Sequence, residues 1–257
     1  MLAILRTPGT QIAGQLRAWR AELLLGGLVV LAAALVMHAF AGLPGSFPLT
    51  AMLLFLLLAV AILVSAPGSF VVEGPGLANR VTLMRSALVV PLVALVLYPA
   101  QQHTAALYAA LGLAILALVL DGVDGAVARH TGRVTAFGAR FDMELDALLI
   151  MALAVLVWQT GQVGGWVLLI GLMRYGFVAA GWYWRWLQGD LPPSRRRQAL
   201  CVVQSVALLI ALVPLVPPAV AAVTALAALV LLVYSFAVDV LWLYRAGHRT
   251  PERTDAA

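Results

Sequence analysis

The sequence predicts an all-α, polytopic integral membrane protein. Of its 257 residues, 63% are hydrophobic and only 11% are charged, and the mean hydropathy is +1.01. Soluble domains usually contain roughly 25% charged residues. Apolar runs recur along the chain, and several approach the ~20 residues that a helix needs to cross a bilayer. These observations exclude a soluble globular protein and favour about eight membrane-spanning helices.

The amino-terminal third contains a charged segment followed by two apolar runs. Residues 1–22 mix arginines with apolar side chains. This indicates either an interfacial amphipathic helix, broken early by Pro8 and Gly9, or a polar cytoplasmic tail. Residues 23–66 then hold two runs that are each long enough to span a membrane. The later predicted spans cover residues 81–100, 104 into the aspartate-rich stretch below, 142–159, 166–187, 198–213 and 219–244.

Positive charge is distributed unevenly among the predicted loops. All 16 basic residues are arginine, and none lies in the loops at residues 42–46, 101–103, 160–165 and 214–218. Cytoplasmic loops are enriched in Arg and Lys, so this alternation predicts that both termini are cytoplasmic, at the inner or plasma membrane. The arginines lie at segment ends rather than in a soluble basic domain, which excludes nucleic acid as a partner. The single Cys201 excludes a disulfide framework.

Four aspartates lie within residues 121–146, where two predicted spans adjoin. Asp121 and Asp124 are three residues apart, and Asp142 and Asp146 are four apart. On a helix, either spacing places two carboxylates on one face. A carboxylate in a span costs roughly 2.5–3.5 kcal/mol and needs a compensating partner. Oxygen ligands without clustered Cys or His favour Mg²⁺, Mn²⁺ or Ca²⁺ over zinc, so we expect a divalent metal where the two pairs face each other.

Small residues and an arginine follow the first aspartate pair. Gly125 and Ala128 keep the adjoining helix face free of bulk, and Arg129 follows one turn after Gly125. A small face beside a metal and a cation is suited to a nucleotide phosphate.

This stretch resembles the signature of the CDP-alcohol phosphotransferase family, class I, also called CDP-alcohol phosphatidyltransferases. Eight positions within 26 residues match without a difference in residue or spacing: Asp121, Asp124, Gly125, Ala128, Arg129, Gly138, Asp142 and Asp146. A shorter upstream match is similar to the N-x-x-T-x-x-R segment that enters the first core helix of the family: Asn79, Thr82 and Arg85. The resemblance covers roughly residues 75–245.

The resemblance implies a six-helix catalytic core that forms a homodimer, here preceded by two extra transmembrane helices. The chain is then divided into an N-terminal segment (1–22), two extra helices (23–66), a catalytic membrane domain (67–245) and a cytoplasmic tail (246–257). The charge alternation described above predicts that the aspartate-rich stretch lies at the cytoplasmic face of the membrane.

The resemblance also implies the chemistry. A CDP-linked donor, in the first instance CDP-diacylglycerol, would pass its phosphatidyl group to the hydroxyl of an acceptor alcohol, and CMP would leave. Mg²⁺ or Mn²⁺ would be held by the four aspartates, with Asp146 as general base. The nucleotide and its phosphates would contact Gly125, Ala128, Arg129 and Gly138, with Asn79, Thr82 and Arg85 as further contributors.

Four more arginines each have two interpretations. Arg174 lies mid-span, where it either reaches the metal site or a phosphate, or forms a structural ion pair with an interior carboxylate. Arg195, Arg196 and Arg197 begin another span. They either anchor the topology through anionic lipid or clamp a phosphate of the donor or of a phosphorylated acceptor. For Asp239, near the cytoplasmic end of the last span, either snorkelling or pairing with a neighbouring arginine is expected.

Two other functional classes compete with the enzyme. An intramembrane cation or proton transporter also places carboxylates in its spans, but it does not require Gly125, Ala128 and Gly138 at fixed spacing. A catalytically silent membrane scaffold poorly explains an intact set of signature residues. The sequence therefore favours a transferase, and the acceptor alcohol is left open.

Overall fold

The structure, a computed structural model, describes residues 8–65, 76–131, 136–189, 191–192 and 194–247. At residues 8–13, 15, 18, 76–79, 123–131 and 136 it describes the helical backbone alone. Within these ranges all regular secondary structure is helical, and no strand is present. The prediction of an all-α protein is confirmed.

Eight α-helices follow one another along the described part of the chain, and three short 3₁₀ helices lie in the connections. The 3₁₀ helices are Pro99–Gln101, Gly165–Val167 and Arg185–Gln188. The α-helices are α1 (Pro8–Ala41), α2 (Ser46–Ser65), α3 (Gly76–Val96), α4 (Thr104–Thr131), α5 (Ala136–Gln159), α6 (Leu168–Tyr183), α7 (Arg195–Leu212) and α8 (Pro218–Gly247).

Five of the described helical stretches are long and apolar enough to cross a membrane: Trp19–Ala41, Ser46–Ser65, Thr104–Gly122, Gly165–Tyr183 and Pro218–Ala246. Between 22% and 39% of each is buried inside the protein, so most of its apolar surface is left for contact with lipid. The protein is thus a polytopic integral membrane protein. Helices α3, α5 and α7 carry Arg or Asp side chains in their first halves, and for them a membrane crossing stays a prediction.

Helix α1 differs from its prediction. It runs without interruption from Pro8 to Ala41, across the boundary expected between residues 22 and 23. Pro8 and Gly9, where an early break was expected, are the first two described residues of α1; residues 1–7 lie outside the described part of the chain, so the break stays a prediction. Helix α6 ends at Tyr183 rather than near residue 187, because the backbone of Trp184 is extended.

The chain forms two compact units, Met1–Leu149 and Ile150–Ala257. In the first unit, α3 packs against α1, α2 and α4. Its side chains are buried around nearly its whole circumference, including Leu83, Ala87 and Leu92 at 0% exposure. Three polar side chains in the same part of the helix, Thr82, Arg85 and Ser86, are buried as well, and each needs a partner inside the protein.

The two amino-terminal helices belong to this packing unit. Glu22 of α1 forms an ion pair with Arg80 of α3, with 2.8 Å between Glu22 Oε1 and Arg80 Nε. Trp19, also on α1, is fully buried. The Thr50 hydroxyl of α2 lies 2.7 Å from the hydroxyl of Tyr98, which follows α3. Helices α1 and α2 thus pack against α3, the first helix of the region that resembles the family.

The second unit is built around α8, which packs against α7 and α6. Phe177 of α6 and Phe236 of α8 meet edge to face at 5.4 Å between ring centroids. Gly171 of α6 lies against Met151, and a Cβ at this glycine would fall 2.8 Å from the Met151 Cα. The backbones of α5 and α6 therefore approach closely at Gly171.

Candidate functional site

Three of the four predicted carboxylates lie together near the end of α4 and the start of α5. Oxygen atoms of Asp121, Asp142 and Asp146 lie within 4.8 Å of one another. Asp142 and Asp146 occupy successive turns of α5, so their four-residue spacing places both beside Asp121. The side chains are 32%, 42% and 26% exposed, respectively, which leaves the cluster open to an ion from solution.

A buried arginine from α3 lies against all three carboxylates. Arg85 Nη1 donates to Oδ1 of Asp121 and, at 2.7 Å, to Oδ1 of Asp142. Its Nη2 donates to Oδ1 of Asp146. The side chain is 1% exposed, and its buried Nε has no acceptor among the described residues. Because guanidinium does not lose its proton in proteins, this buried charge depends on the three aspartates for compensation.

The donor set fits a hard divalent cation. All three clustered groups are carboxylates, and the described cluster contains neither thiolate nor imidazole. Mg²⁺ and Mn²⁺ prefer such oxygen ligands. The three carboxylates and Arg85 together carry two net negative charges, which matches the charge of one divalent ion.

The remaining positions of the signature are described in part. Asp124, Gly125, Ala128 and Arg129 lie on α4, and their side chains are outside the described residues, as is that of Asn79 on α3. Gly138 lies on α5, one turn before Asp142, and is half-buried. Thr82 is buried on α3, one turn before Arg85, so both point into the first unit.

The resemblance implies that Arg85 is a nucleotide contact, and the sequence analysis does not predict its pairing with the aspartates. A signal for that pairing was available. A permanent charge within an apolar helix is costly unless it meets an opposite charge, and the aspartate-rich stretch holds most of the acidic residues in the later spans. What sequence could not supply was the distance between α3 and α4.

The arginine cluster belongs to the second unit. Arg196 Nη2 lies 2.5 Å from Asp239 Oδ1, and Arg197 Nη1 lies 3.5 Å from the same oxygen. Arg197 Nη2 also donates to the carbonyl of Pro192. The expected pairing of Asp239 with a neighbouring arginine is therefore present. Arg195 is exposed and forms no ion pair with the described residues, so it is the member of the cluster that faces solvent.

Arg174, the other predicted phosphate contact, lies in the middle of α6 and is half-buried. Its position is that of a residue inside a span rather than at a helix end. Both interpretations of its charge, phosphate contact and structural ion pair, remain predictions.

Comparison with known proteins gives the family. Two curated relatives from Mycobacterium tuberculosis, of strains CDC 1551 / Oshkosh and ATCC 25618 / H37Rv, are each named probable phosphatidylglycerophosphate synthase. Each is 32% identical over 119 residues, a region that covers 41% of this chain and 57% of the relative. No solved structure matches the chain. Residues 76–238 match the family described as CDP-alcohol phosphatidyltransferase, so the chain belongs to that family.

Proposed function

We propose that the protein transfers the phosphatidyl group of CDP-diacylglycerol to the hydroxyl of a phosphorylated alcohol, with a divalent cation bound by its aspartates, and releases CMP. The observation that carries this proposal is the convergence of Asp121, Asp142 and Asp146 within the region that matches the family. The family and the names of the relatives support a transferase of phospholipid synthesis.

The metal-binding residues are proposed to be Asp121, Asp142 and Asp146, with Asp124 as the fourth ligand of the signature. A bound Mg²⁺ or Mn²⁺ supplies neutralisation of the donor pyrophosphate and orientation of the bond that breaks. The aspartates are proposed to position the donor, with Gly125 and Ala128 of the signature beside its nucleotide. Arg129, Gly138, Asn79 and Thr82 are the further proposed contacts of the CDP group.

Asp146 is proposed as the general base. One of its carboxylate oxygens takes the proton of the acceptor hydroxyl, and the resulting oxygen attacks the β-phosphorus of the donor. A bond forms between the acceptor oxygen and phosphorus, the bond from that phosphorus to the bridging oxygen breaks, and CMP leaves with the bridging oxygen. Asp146 is the least exposed of the three clustered aspartates, at 26%, which suits a group that exchanges a proton with substrate rather than with bulk water.

The acceptor is proposed to carry a phosphate. Two observations support this: the relatives are named for phosphatidylglycerophosphate, and the chain has three consecutive arginines at the start of α7. Arg makes bidentate contacts with phosphate oxygens. Arg195 is the leading candidate because Arg196 and Arg197 already pair with Asp239. Glycerol phosphate is therefore the first acceptor to test.

The protein is proposed to cross the cytoplasmic membrane eight times as a homodimer, with both termini and the aspartate cluster on the cytoplasmic side. The support is the absence of Arg and Lys from alternate connections of the sequence, at residues 42–46, 101–103, 160–165 and 214–218. The homodimer rests on the family alone.

The decisive experiment measures CMP release by the purified full-length protein in detergent or liposomes. It supplies CDP-diacylglycerol, Mg²⁺ and a panel of acceptors that includes glycerol phosphate, with EDTA and Asp142→Asn as controls. We expect acceptor-dependent CMP release that both controls abolish. A transporter or a silent scaffold would give no CMP with any acceptor, and that result would overturn the proposal.

The base assignment has its own test. Asp146→Asn should lose turnover by at least ~100-fold, since general bases contribute about that much. Its metal-dependent CDP binding should fall no further than that of Asp142→Asn, because each variant removes one proposed metal ligand and only Asp146 is also the proposed base. Full activity of Asp146→Asn would sink the assignment.

A further inference from the structure

Arg85 contacts every member of the aspartate cluster. Its two terminal nitrogens reach one oxygen of each of Asp121, Asp142 and Asp146, the same three residues that make the candidate metal site. The resemblance implies a nucleotide contact for Arg85, and that role stays a prediction. The contacts with the aspartates point to a role at the metal site itself.

From this geometry we propose that Arg85 is the built-in counter-cation of the metal site and opposes metal binding. The inference rests on the proposed function, since it assumes that the clustered aspartates bind a divalent cation. Arg85 and the metal draw on the same three negative charges. Without metal, Arg85 thus offsets one of the three negative charges, and every charge interaction that it retains lowers the affinity for the metal.

The first argument is electrostatic. The guanidinium is 1% exposed and cannot discharge itself by losing a proton. A divalent ion among the same carboxylates brings two like charges close to Arg85, in a region where burial weakens solvent screening. Metal binding and the Arg85 ion pairs must therefore oppose each other, whether the metal takes the Oδ1 atoms or the other carboxylate oxygens.

The second argument concerns what holds the cluster together when no metal is bound. Three carboxylates within 4.8 Å repel one another, and their side chains are only 26% to 42% exposed. Arg85 provides the compensating charge, and it is held in place by α3, whose neighbouring side chains Leu83 and Ser86 are fully buried. The packing of α3 therefore holds the positive charge of Arg85 in place beside the candidate metal site.

The third argument concerns which donors of Arg85 are engaged. Among the described residues, its buried Nε finds no acceptor, and the donors that are paired are the two terminal nitrogens. Both of these contact the residues that are proposed to bind the metal.

The test measures Mn²⁺ affinity directly, by calorimetry or by the electron paramagnetic resonance of free Mn²⁺, in the purified full chain. Wild type is compared with Arg85→Met, which removes the charge, and Arg85→Lys, which keeps the charge but loses the forked contacts. We expect Arg85→Met to bind Mn²⁺ about tenfold more tightly or better, and Arg85→Lys to lie between it and wild type. Without metal, Arg85→Met should unfold at a lower temperature than wild type. Added Mn²⁺ should raise the unfolding temperature of Arg85→Met by more than it raises that of wild type.

Arg85→Lys keeps the inference testable if Arg85→Met fails to fold. Equal or weaker Mn²⁺ binding by either variant, with wild type binding normally, overturns the inference and leaves the metal assignment intact. A positioning role of Arg85 would give that weaker binding. If neither wild type nor the variants bind Mn²⁺, the metal assignment and this inference both fail. Asp142→Asn is the control for non-specific Mn²⁺ sites, because it should lose binding at the aspartate cluster.

Discussion

Arg196 Nη2 lies 2.5 Å from Asp239 Oδ1, which ties the first turn of α7 to the last third of α8. Asp239 is 8% exposed, and Arg197 reaches the same oxygen at 3.5 Å. Two of the three consecutive arginines are therefore engaged within the second unit. Arg195 is exposed and forms no ion pair with the described residues. We therefore expect substitutions of Asp239 to change stability and substitutions of Arg195 to change binding of the acceptor.

Asp239→Asn should lower the free energy of unfolding by about 1–3 kcal/mol, because it leaves two partly buried guanidinium groups without their carboxylate. Thermal unfolding in detergent measures the change. Arg195→Gln is the matched control and should leave the unfolding temperature at the wild-type value, since Arg195 is exposed. Equal stability of Asp239→Asn and wild type would mean that the ion pair does not hold the two helices together.

Arg195→Gln should instead act on the acceptor. If Arg195 binds the acceptor phosphate, its loss should raise the KM for glycerol phosphate by about tenfold, the equivalent of one charge-assisted contact of ~1.4 kcal/mol. Steady-state CMP release at varied acceptor concentration measures this. An unchanged KM would favour the other interpretation of the cluster, a topology anchor at the lipid surface.

Trp19→Ala should destabilise the first unit by about 3–5 kcal/mol, as expected for removal of a large buried aromatic side chain. Trp19 is 0% exposed on α1, whereas Phe40 on the same helix is 82% exposed. Phe40→Ala is therefore the aromatic control and should change the unfolding temperature little. Similar effects of the two substitutions would contradict the packing of α1 against the rest of the unit.

Gly171→Ala should destabilise the second unit by about 1–3 kcal/mol, because its Cβ would lie 2.8 Å from the Met151 Cα, and that backbone atom cannot move away cheaply. Gly176 on the same helix has no atom within 4 Å of an added Cβ. Gly176→Ala should be neutral or stabilise by about 0.5–1 kcal/mol through helix propensity. The unfolding temperatures of both variants and of wild type are compared in one detergent. A Gly171→Ala variant as stable as wild type would refute the close approach of α5 and α6.

Much of the fold followed from local patterns in the sequence. Apolar runs predicted most helices within a few residues of where they lie, because the length that crosses a bilayer is set by the rise of the helix. The differences occurred at helix ends, which an apolar run does not set. Helix α6 ends at Tyr183 rather than near residue 187, because the backbone of Trp184 is extended.

The sequence by itself determined the family and which carboxylates share a helix face, since spacings of three or four residues have one meaning on a helix. Tertiary structure alone decided what those carboxylates meet. Arg85 precedes Asp121 by 36 residues and Asp146 by 61, and Arg196 precedes Asp239 by 43. No periodicity operates over such distances. A charge on one helix finds its partner only when packing brings a second helix beside it, and that packing is set by the buried surfaces of the whole unit.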